Sequence, residues 1–204
     1  MARIVGSKGA VTSRAIRLAG LQLIYEHGYE GFGLRQLAQA VNLQPASLYN
    51  YIASKQDLLF GIISTHMRAL IEETEARLAG CTNDPVERLA AFTAHHLDRH
   101  IDKKHEVYVA NFELRALEPA NLEAILGLRR HYESLLIRIL DDGRQAGVIR
   151  TADTHVAAYA MLAMLTGACT WYKADGRLTK AEMIDLHTRL VMDGCTQRGA
   201  ANAA

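Results

Sequence analysis

The sequence predicts an all-α protein, and three observations carry that reading. Apolar residues recur at helical spacing along most of the chain. Capping and stop residues punctuate these periodic runs at short intervals. With only three prolines and little β-branched alternation in 204 residues, strands have no pattern to form on. Half of the residues are hydrophobic, enough for a small head and a larger body, each with its own core.

The first helix is marked by Ile16, Ala19, Gly20, Leu23 and Ile24, one apolar face, and stops at Gly28. Glycine takes the backbone turn at a helix end without a Cβ penalty. The first nine residues read as a loose arm. Leu34, Leu37, Ala38 and Val41 fall at i, i+3, i+4 and i+7 and give a short second helix. Asn42 interrupts it, since Asn tolerates the left-handed conformation of a sharp turn, and Pro45 is a good first residue for a third helix because its missing N–H would be unpaired there. Leu48 and Ile52 can anchor that helix while Gln44, Ser47, Tyr49 and Asn50 face outward with groups able to bond phosphates and base edges. Residues 34–51 therefore read as a helix-turn-helix.

Ser54-Lys55-Gln56-Asp57 matches a capping box ahead of Leu58-Leu59-Phe60 and starts a long fourth helix that runs to about Ala79 and stops at Gly80. That helix joins head and body without a flexible hinge, dividing the chain at 1–54 and 55–204. A fifth helix opens at Asp84-Pro85 and reaches about Ile101, and a shorter sixth spans about His105 to Leu117. Pro119 begins a long seventh, which Leu122, Ile125, Leu126, Leu128, Leu135, Leu136, Ile139 and Leu140 carry to about Ala146, with Gly147 as the stop. Asp153 caps an eighth ending near Tyr172. The capping box Thr179-Lys180-Ala181-Glu182 starts a ninth, to about Gly194. Three helices belong to the head and six to the body.

Charge divides along the same line. Residues 1–55 hold Arg3, Lys8, Arg14, Arg17, Arg35 and Lys55 against Glu26 and Glu30, a balance of +4, so the remainder is −3 in a chain of net charge +1. A basic end carrying the helix-turn-helix is the expected footprint of a nucleic-acid partner. No positively charged start followed by an apolar run marks a signal peptide, which points to a cytoplasmic protein. Cys81, Cys169 and Cys195 are odd in number and far apart, so free thiols, mostly buried, are expected rather than a disulfide framework or zinc site. The uncharged run from Val156 to Tyr172 is near the lower limit for a membrane span, but its threonines, glycine and alanines fit better a helix buried over most of its surface, and no membrane partner is expected. Its small residues would let a neighbouring helix approach closely, as at an interface between subunits.

Glu26-His27-Gly28-Tyr29 ending the first helix, Leu37-Ala38 in the second, Ser47-Leu48-Tyr49-Asn50-Tyr51 in the third and Ser54-Lys55 opening the fourth resemble the N-terminal DNA-binding domain of the TetR family of transcriptional regulators. The resemblance implies a homodimeric, ligand-released repressor on a palindromic operator in double-stranded DNA. It implies phosphate contacts from Tyr49 and Lys55, base reading by Gln44, Pro45, Ala46 and Ser47 with Asn50 beside them, and a further DNA contact from Arg35. The chain departs from the family pattern at Gly33, where many members carry Ser or Thr and only a backbone N–H remains to meet a phosphate, and at Asn42, where the turn glycine is usual. Dimerisation is expected through the last two long helices, which sets two reading heads on successive turns of the duplex.

Phe112-Glu113-Leu114-Arg115-Ala116-Leu117, the long helix after Pro119 and the segment Trp171 to Thr179 resemble a TetR subgroup that responds to CoA thioesters. An acyl-CoA effector would need an apolar tunnel, for which Phe92, His96, Tyr108, Phe112, Tyr132, Leu136 and Trp171 are candidates, and cations near a mouth, for which Arg115, Arg129 and Arg130 are candidates. Two other readings stay open. One is an all-α metalloprotein or enzyme built on the cluster His95, His96, Asp98, His100, Asp102 and His105, where His96 and His100 share a helix face at metal-ligand spacing. The other is a DNA-binding regulator without a small-molecule effector. No glycine-rich phosphate loop, serine-nucleophile elbow or paired Glu-x-x-His motif is present, so no cofactor, bound metal or catalytic residue is expected.

Overall fold

The computed structural model describes residues 6–196, and within them the chain forms nine α-helices in the order α1 Gly6–His27, α2 Leu34–Ala40, α3 Pro45–Leu48, α4 Lys55–Ala79, α5 Pro85–Asp102, α6 Lys104–Phe112, α7 Pro119–Gln145, α8 Thr154–Trp171 and α9 Lys180–Cys195. Among the described residues there is no strand, and the one bridge pairs Ile149 with Thr196. The all-α expectation and the order of elements hold. Residues 1–5 of the expected arm lie outside the described residues, and the arm's remainder begins α1.

Two bounds and one burial expectation differ from the sequence reading. The third helix stops at Leu48, because the next turn tightens: Tyr51 N–H donates to the Leu48 carbonyl at 2.9 Å, three residues back rather than four. The sixth stops at Phe112 and is followed by a separate 3₁₀ turn, Leu114–Ala116, so its apolar spacing spans two elements. The eighth is not buried over most of its surface in the single chain: Val156 is 64% exposed and Tyr159 52%.

Two compact units result. The first comprises Met1–Met67 with His105–Gly127, the second Arg68–Lys104 with Leu128–Ala204. In the first, α1 buries Ile16, Leu21 and Ile24, α2 buries Leu37 and Ala38, and α4 contributes Leu58, Leu59, Ile62 and Ile63. Gly20 makes the close approach of α1 to α4 possible, since a Cβ there would lie 2.8 Å from Leu58 Cδ2. Gly28 ends α1 at a φ of 73°, which any Cβ would strain. In the second unit α5 packs against both α8 and α9. Lys180, the first residue of α9, reaches Asp98 Oδ1 at 2.6 Å and Asp102 Oδ1 at 2.7 Å on α5. Partial burial lowers the affinity of this ammonium for its proton, yet the hydrogen bonds to Asp102 and Asp98 outweigh that and hold its pKa above the usual lysine value.

Helix ends are capped largely by the residues expected. Asp84 Oδ1 accepts from Val86 N at 3.0 Å, Asp153 Oδ1 from His155 N at 2.8 Å and Val156 N at 3.0 Å, and Thr179 with Glu182 forms a complete capping box. At α4 the box is displaced by one residue: Asp57 N donates to Ser54 Oγ, but the Asp57 carboxylate accepts from Ala53 N rather than Ser54 N. Cys81 is half-buried and Cys169 and Cys195 are buried, all as free thiols. No described helix is long and apolar enough to cross a membrane.

Candidate functional site

The turn between α2 and α3 is built on Asn42, which adopts a φ of 53°, in the left-handed region where non-glycine residues are uncommon and Asn is favoured. Leu43 N–H then reaches back to the Ala38 carbonyl at 2.8 Å, closing the end of α2. Pro45 is the first residue of α3, and the preceding Gln44 is extended, with its side chain making no capping bond. Leu48 is fully buried and Ile52 nearly so, which pins this short segment to the unit. Everything else on it turns outward: Gln44, Pro45, Ala46 and Asn50 are exposed, Ser47 is half-buried, and Tyr49 is 59% exposed. A large aromatic ring held out at that level costs apolar hydration, and the ring adds no packing to the core. Arg35, second residue of α2, is exposed as well.

Lys55 sits at the start of α4, half-buried, with its Nζ 4.4 Å from the centroid of the Tyr29 ring and 4.6 Å from that of Phe32. Both distances lie within cation–π range, so the ammonium rests on an aromatic platform from the α1–α2 connection. Gly33 differs from the reading above. Its backbone N–H is occupied by Gln36 Oε1 at 3.0 Å, so a phosphate arriving there would have to displace that side chain. The bond is the half of a capping box that a glycine cap still allows.

The candidate effector residues separate into groups. Phe92, His96, Tyr132 and Leu136 come together in the second unit, all buried. The rings of Phe92 and Tyr132 are 5.3 Å apart, and His96 Nδ1 lies 2.8 Å from the Tyr132 hydroxyl. Two threonines that sequence reasoning did not single out complete the cluster: Thr166 Oγ1 is 3.2 Å from His96 Nε2, and Thr74 is hydrogen-bonded to Tyr132. Thr74 also donates to the Leu70 carbonyl at 2.7 Å. The tautomer of His96 sets which of its ring nitrogens donates and which accepts. Burial raises the Tyr132 pKa far above its usual value, with the Thr74 bond only partly opposing it. His100 stacks on His96 with ring centroids 3.6 Å apart and donates from Nδ1 to the His96 carbonyl at 2.8 Å. Nothing in the periodicity marks Thr74 or Thr166, because a threonine bonding into a cluster and one bonding only its own helix read alike.

Arg129 lies three residues before Tyr132 on α7, and burial lowers its pKa against an opposing contribution from Glu133. Trp171 is 58% exposed, and its ring contact is with His187, at 6.0 Å. Tyr108, Phe112 and Arg115 belong to the first unit, where Tyr108 packs on Phe112 at 4.7 Å and edge-on to Tyr25 at 5.0 Å, and Arg115 is exposed. The histidine cluster also divides: His105 stacks on Tyr25 at 3.9 Å in the first unit, and His95, His96 and His100 are in the second. Among the described residues no three His, Cys, Asp or Glu side chains are grouped so as to hold a metal ion.

Comparison with known proteins gives a consistent answer. A family model described as "Bacterial regulatory proteins, tetR family" matches residues 16–62, and one described as "Tetracyclin repressor-like, C-terminal domain" matches residues 82–195. The structure of PfmR, a TetR family transcriptional regulator from Thermus thermophilus, aligns with a TM-score of 0.79 at 29% identity, covering 87% of this chain and 97% of that one. AibR, solved in complex with isovaleryl coenzyme A and operator DNA, aligns with a TM-score of 0.81 at 30% identity over 88% of this chain and 97% of its own. The HTH-type transcriptional repressor KstR2 of Mycobacterium tuberculosis (strain CDC 1551 / Oshkosh) is 22% identical over 98% of this chain and 100% of its own length.

Proposed function

The chain belongs to the TetR family of bacterial regulatory proteins, and we propose that it is a homodimeric repressor, held on a palindromic operator until an acyl-CoA thioester or related hydrophobic acid releases it. The observation that carries the DNA half is the partition of residues 44–52. Two buried anchors, Leu48 and Ile52, fix a segment whose Gln44, Ala46, Tyr49 and Asn50 are otherwise exposed. In this reading Tyr49 and Lys55 hold phosphates and set register, Gln44, Pro45, Ala46, Ser47 and Asn50 meet base edges, and Arg35 adds a contact from α2. The head, residues 1–54, reads DNA, and residues 55–204 bind effector and pair subunits.

Pairing is supported by the exposed apolar side chains of the last two helices. Val156 and Tyr159 on α8 and Leu186 and Leu190 on α9 are each 47% exposed or more, and such surface favours a second copy over water. Two heads on a two-fold axis read an inverted repeat. The effector half rests on the complex of AibR with isovaleryl coenzyme A and operator DNA. Phe92 and Leu136 supply apolar wall and the His96–Tyr132 pair a polar anchor for a carbonyl, with α4, continuous from Lys55 to Ala79, relaying a shift to the heads. Coupling of about 1–3 kcal/mol suffices for a 5–150-fold loss of operator affinity.

The test is selection of bound duplexes from a random pool, followed by titration of the selected duplex complex with isovaleryl-CoA, longer acyl-CoA thioesters and the free acids. Recovery of an inverted repeat, a dimer by light scattering and release by one thioester support the proposal. A monomer that binds all duplexes alike would overturn it, and binding that no thioester or acid relieves would favour a regulator without a small-molecule effector.

A further inference from the structure

Gln56, the second residue of α4, makes three hydrogen bonds, to two separate parts of the first unit. Its Nε2 donates to the Tyr29 hydroxyl at 3.0 Å and to the Ala116 carbonyl at 2.5 Å, and its Oε1 accepts from Glu118 N at 3.1 Å. The orientation of the amide is fixed by this pattern, because the acceptor faces an N–H and the donor faces a carbonyl. Ala116 and Glu118 form the connection between the 3₁₀ turn after α6 and the first residue of α7, Pro119. Tyr29 in turn is one of the two rings beneath Lys55 Nζ, the next residue back from Gln56 on α4. A helix cap needs none of these bonds: the N-terminal turn of α4 is already served by Ser54 and Asp57.

We infer that Gln56 is a positioning residue for DNA binding, whose amide ties the connection ahead of α7 to the aromatic platform that presents Lys55. The inference rests on the reading of Lys55 as a phosphate ligand and adds the device that holds it ready. A lysine side chain is free to sample many rotamers, and fixing it in advance removes that ordering cost from the binding step. The same arrangement makes Lys55 responsive. A displacement of the backbone at Ala116 or Glu118 changes the bonds to Gln56, hence the Tyr29 ring, hence the ammonium. Helix α7, which starts at that connection, also carries Tyr132 of the His96 cluster.

The experiment is a double-mutant cycle on the full chain, read by fluorescence anisotropy with a labelled random-sequence duplex of about three helical turns, across a series of salt concentrations. Lys55→Ala should lower affinity and reduce the slope of log K against log salt by about one. Gln56→Ala should weaken binding about threefold to tenfold in the natural background. In the Lys55→Ala background it should change affinity less than about twofold. Tyr29→Phe keeps the ring and removes the hydroxyl that Gln56 grips. It should show a smaller loss with the same dependence on Lys55, and it carries the test if Gln56→Ala fails to fold. Equal losses in both backgrounds, or no loss with Lys55 present, would overturn the role of Gln56 and leave the phosphate reading standing. A Lys55→Ala variant with unaltered affinity and salt slope would overturn both.

Discussion

The segment around α3 and the cluster around His96 use polar side chains in opposite ways. Around α3, Gln44, Ser47, Tyr49 and Asn50 stand outside a two-residue anchor, and the side chain of Gln44 is left uncommitted to capping. Around His96, the side chains of Tyr132, Thr74 and Thr166 close hydrogen bonds with one another and with the Leu70 carbonyl inside the second unit. A polar group kept in water retains its bonding capacity for a partner at little cost, whereas one taken out of water must be satisfied on the spot. Residues proposed to read DNA therefore resemble surface in a single chain, and those proposed to meet an effector resemble core.

The most severe way to break that contrast is to remove the anchor. Leu48→Ala leaves a cavity under a four-residue helix and should cost about 2–5 kcal/mol. Chemical denaturation followed by circular dichroism should place that loss in the first unit, with duplex binding abolished, and unchanged binding would mean that the exposed residues do not need the helix. Tyr132→Phe tests the other region. Removing one hydroxyl breaks the bonds of Tyr132 to Thr74 and His96, at about 1–3 kcal/mol in urea unfolding. Binding to duplex without effector should be little altered, so a comparable loss of DNA affinity would show that the two regions are not separable in this way.

Gln44→Ala sharpens the outward side. Stability should stay within about 0.5 kcal/mol of the parent. Competition between the selected duplex and single-base variants should show discrimination falling by about 1–3 kcal/mol at one position per half-site. An equal loss on every duplex would assign Gln44 to phosphate rather than base. The smallest effect concerns His95, on α5 beside the cluster. Burial lowers its pKa, Glu73 opposes, Arg99 adds to the lowering, and its Nε2 is buried without a hydrogen-bond partner. A histidine whose folded pKa is depressed contributes stability above its unfolded pKa, about 6.5, and that contribution is lost as pH falls below this value. Urea midpoints measured on both sides of pH 6.5 should therefore drop on the acid side, less so in His95→Gln, and identical pH profiles would remove His95 from the account.

The elements were legible because their signals are local. Gly28, Asn42, Pro45, Asp84, Asp153 and Thr179 act through the φ angle or capping geometry of their own turn, and each appears where the sequence placed it. The exposed face of α3 was legible for the same reason: once Leu48 and Ile52 are anchors, a helical turn decides which residues point away. The exceptions also have local causes. The bonds back to Leu48 shorten the third helix, and Gln36 takes the N–H of Gly33.

The sequence by itself determined an all-α chain, its element order, the helix-turn-helix with its anchors, and the family to which it belongs. Only the tertiary structure decided that Thr74 and Thr166 join His96 and Tyr132, that Lys55 lies over Tyr29 and Phe32, that Gln56 bridges Tyr29 and the start of α7, and that α8 exposes Val156 and Tyr159. The physical reason is range. Backbone angles and caps are set within one helical turn, while a hydrogen bond between residues dozens of positions apart depends on how whole helices pack, which no single spacing in the sequence encodes.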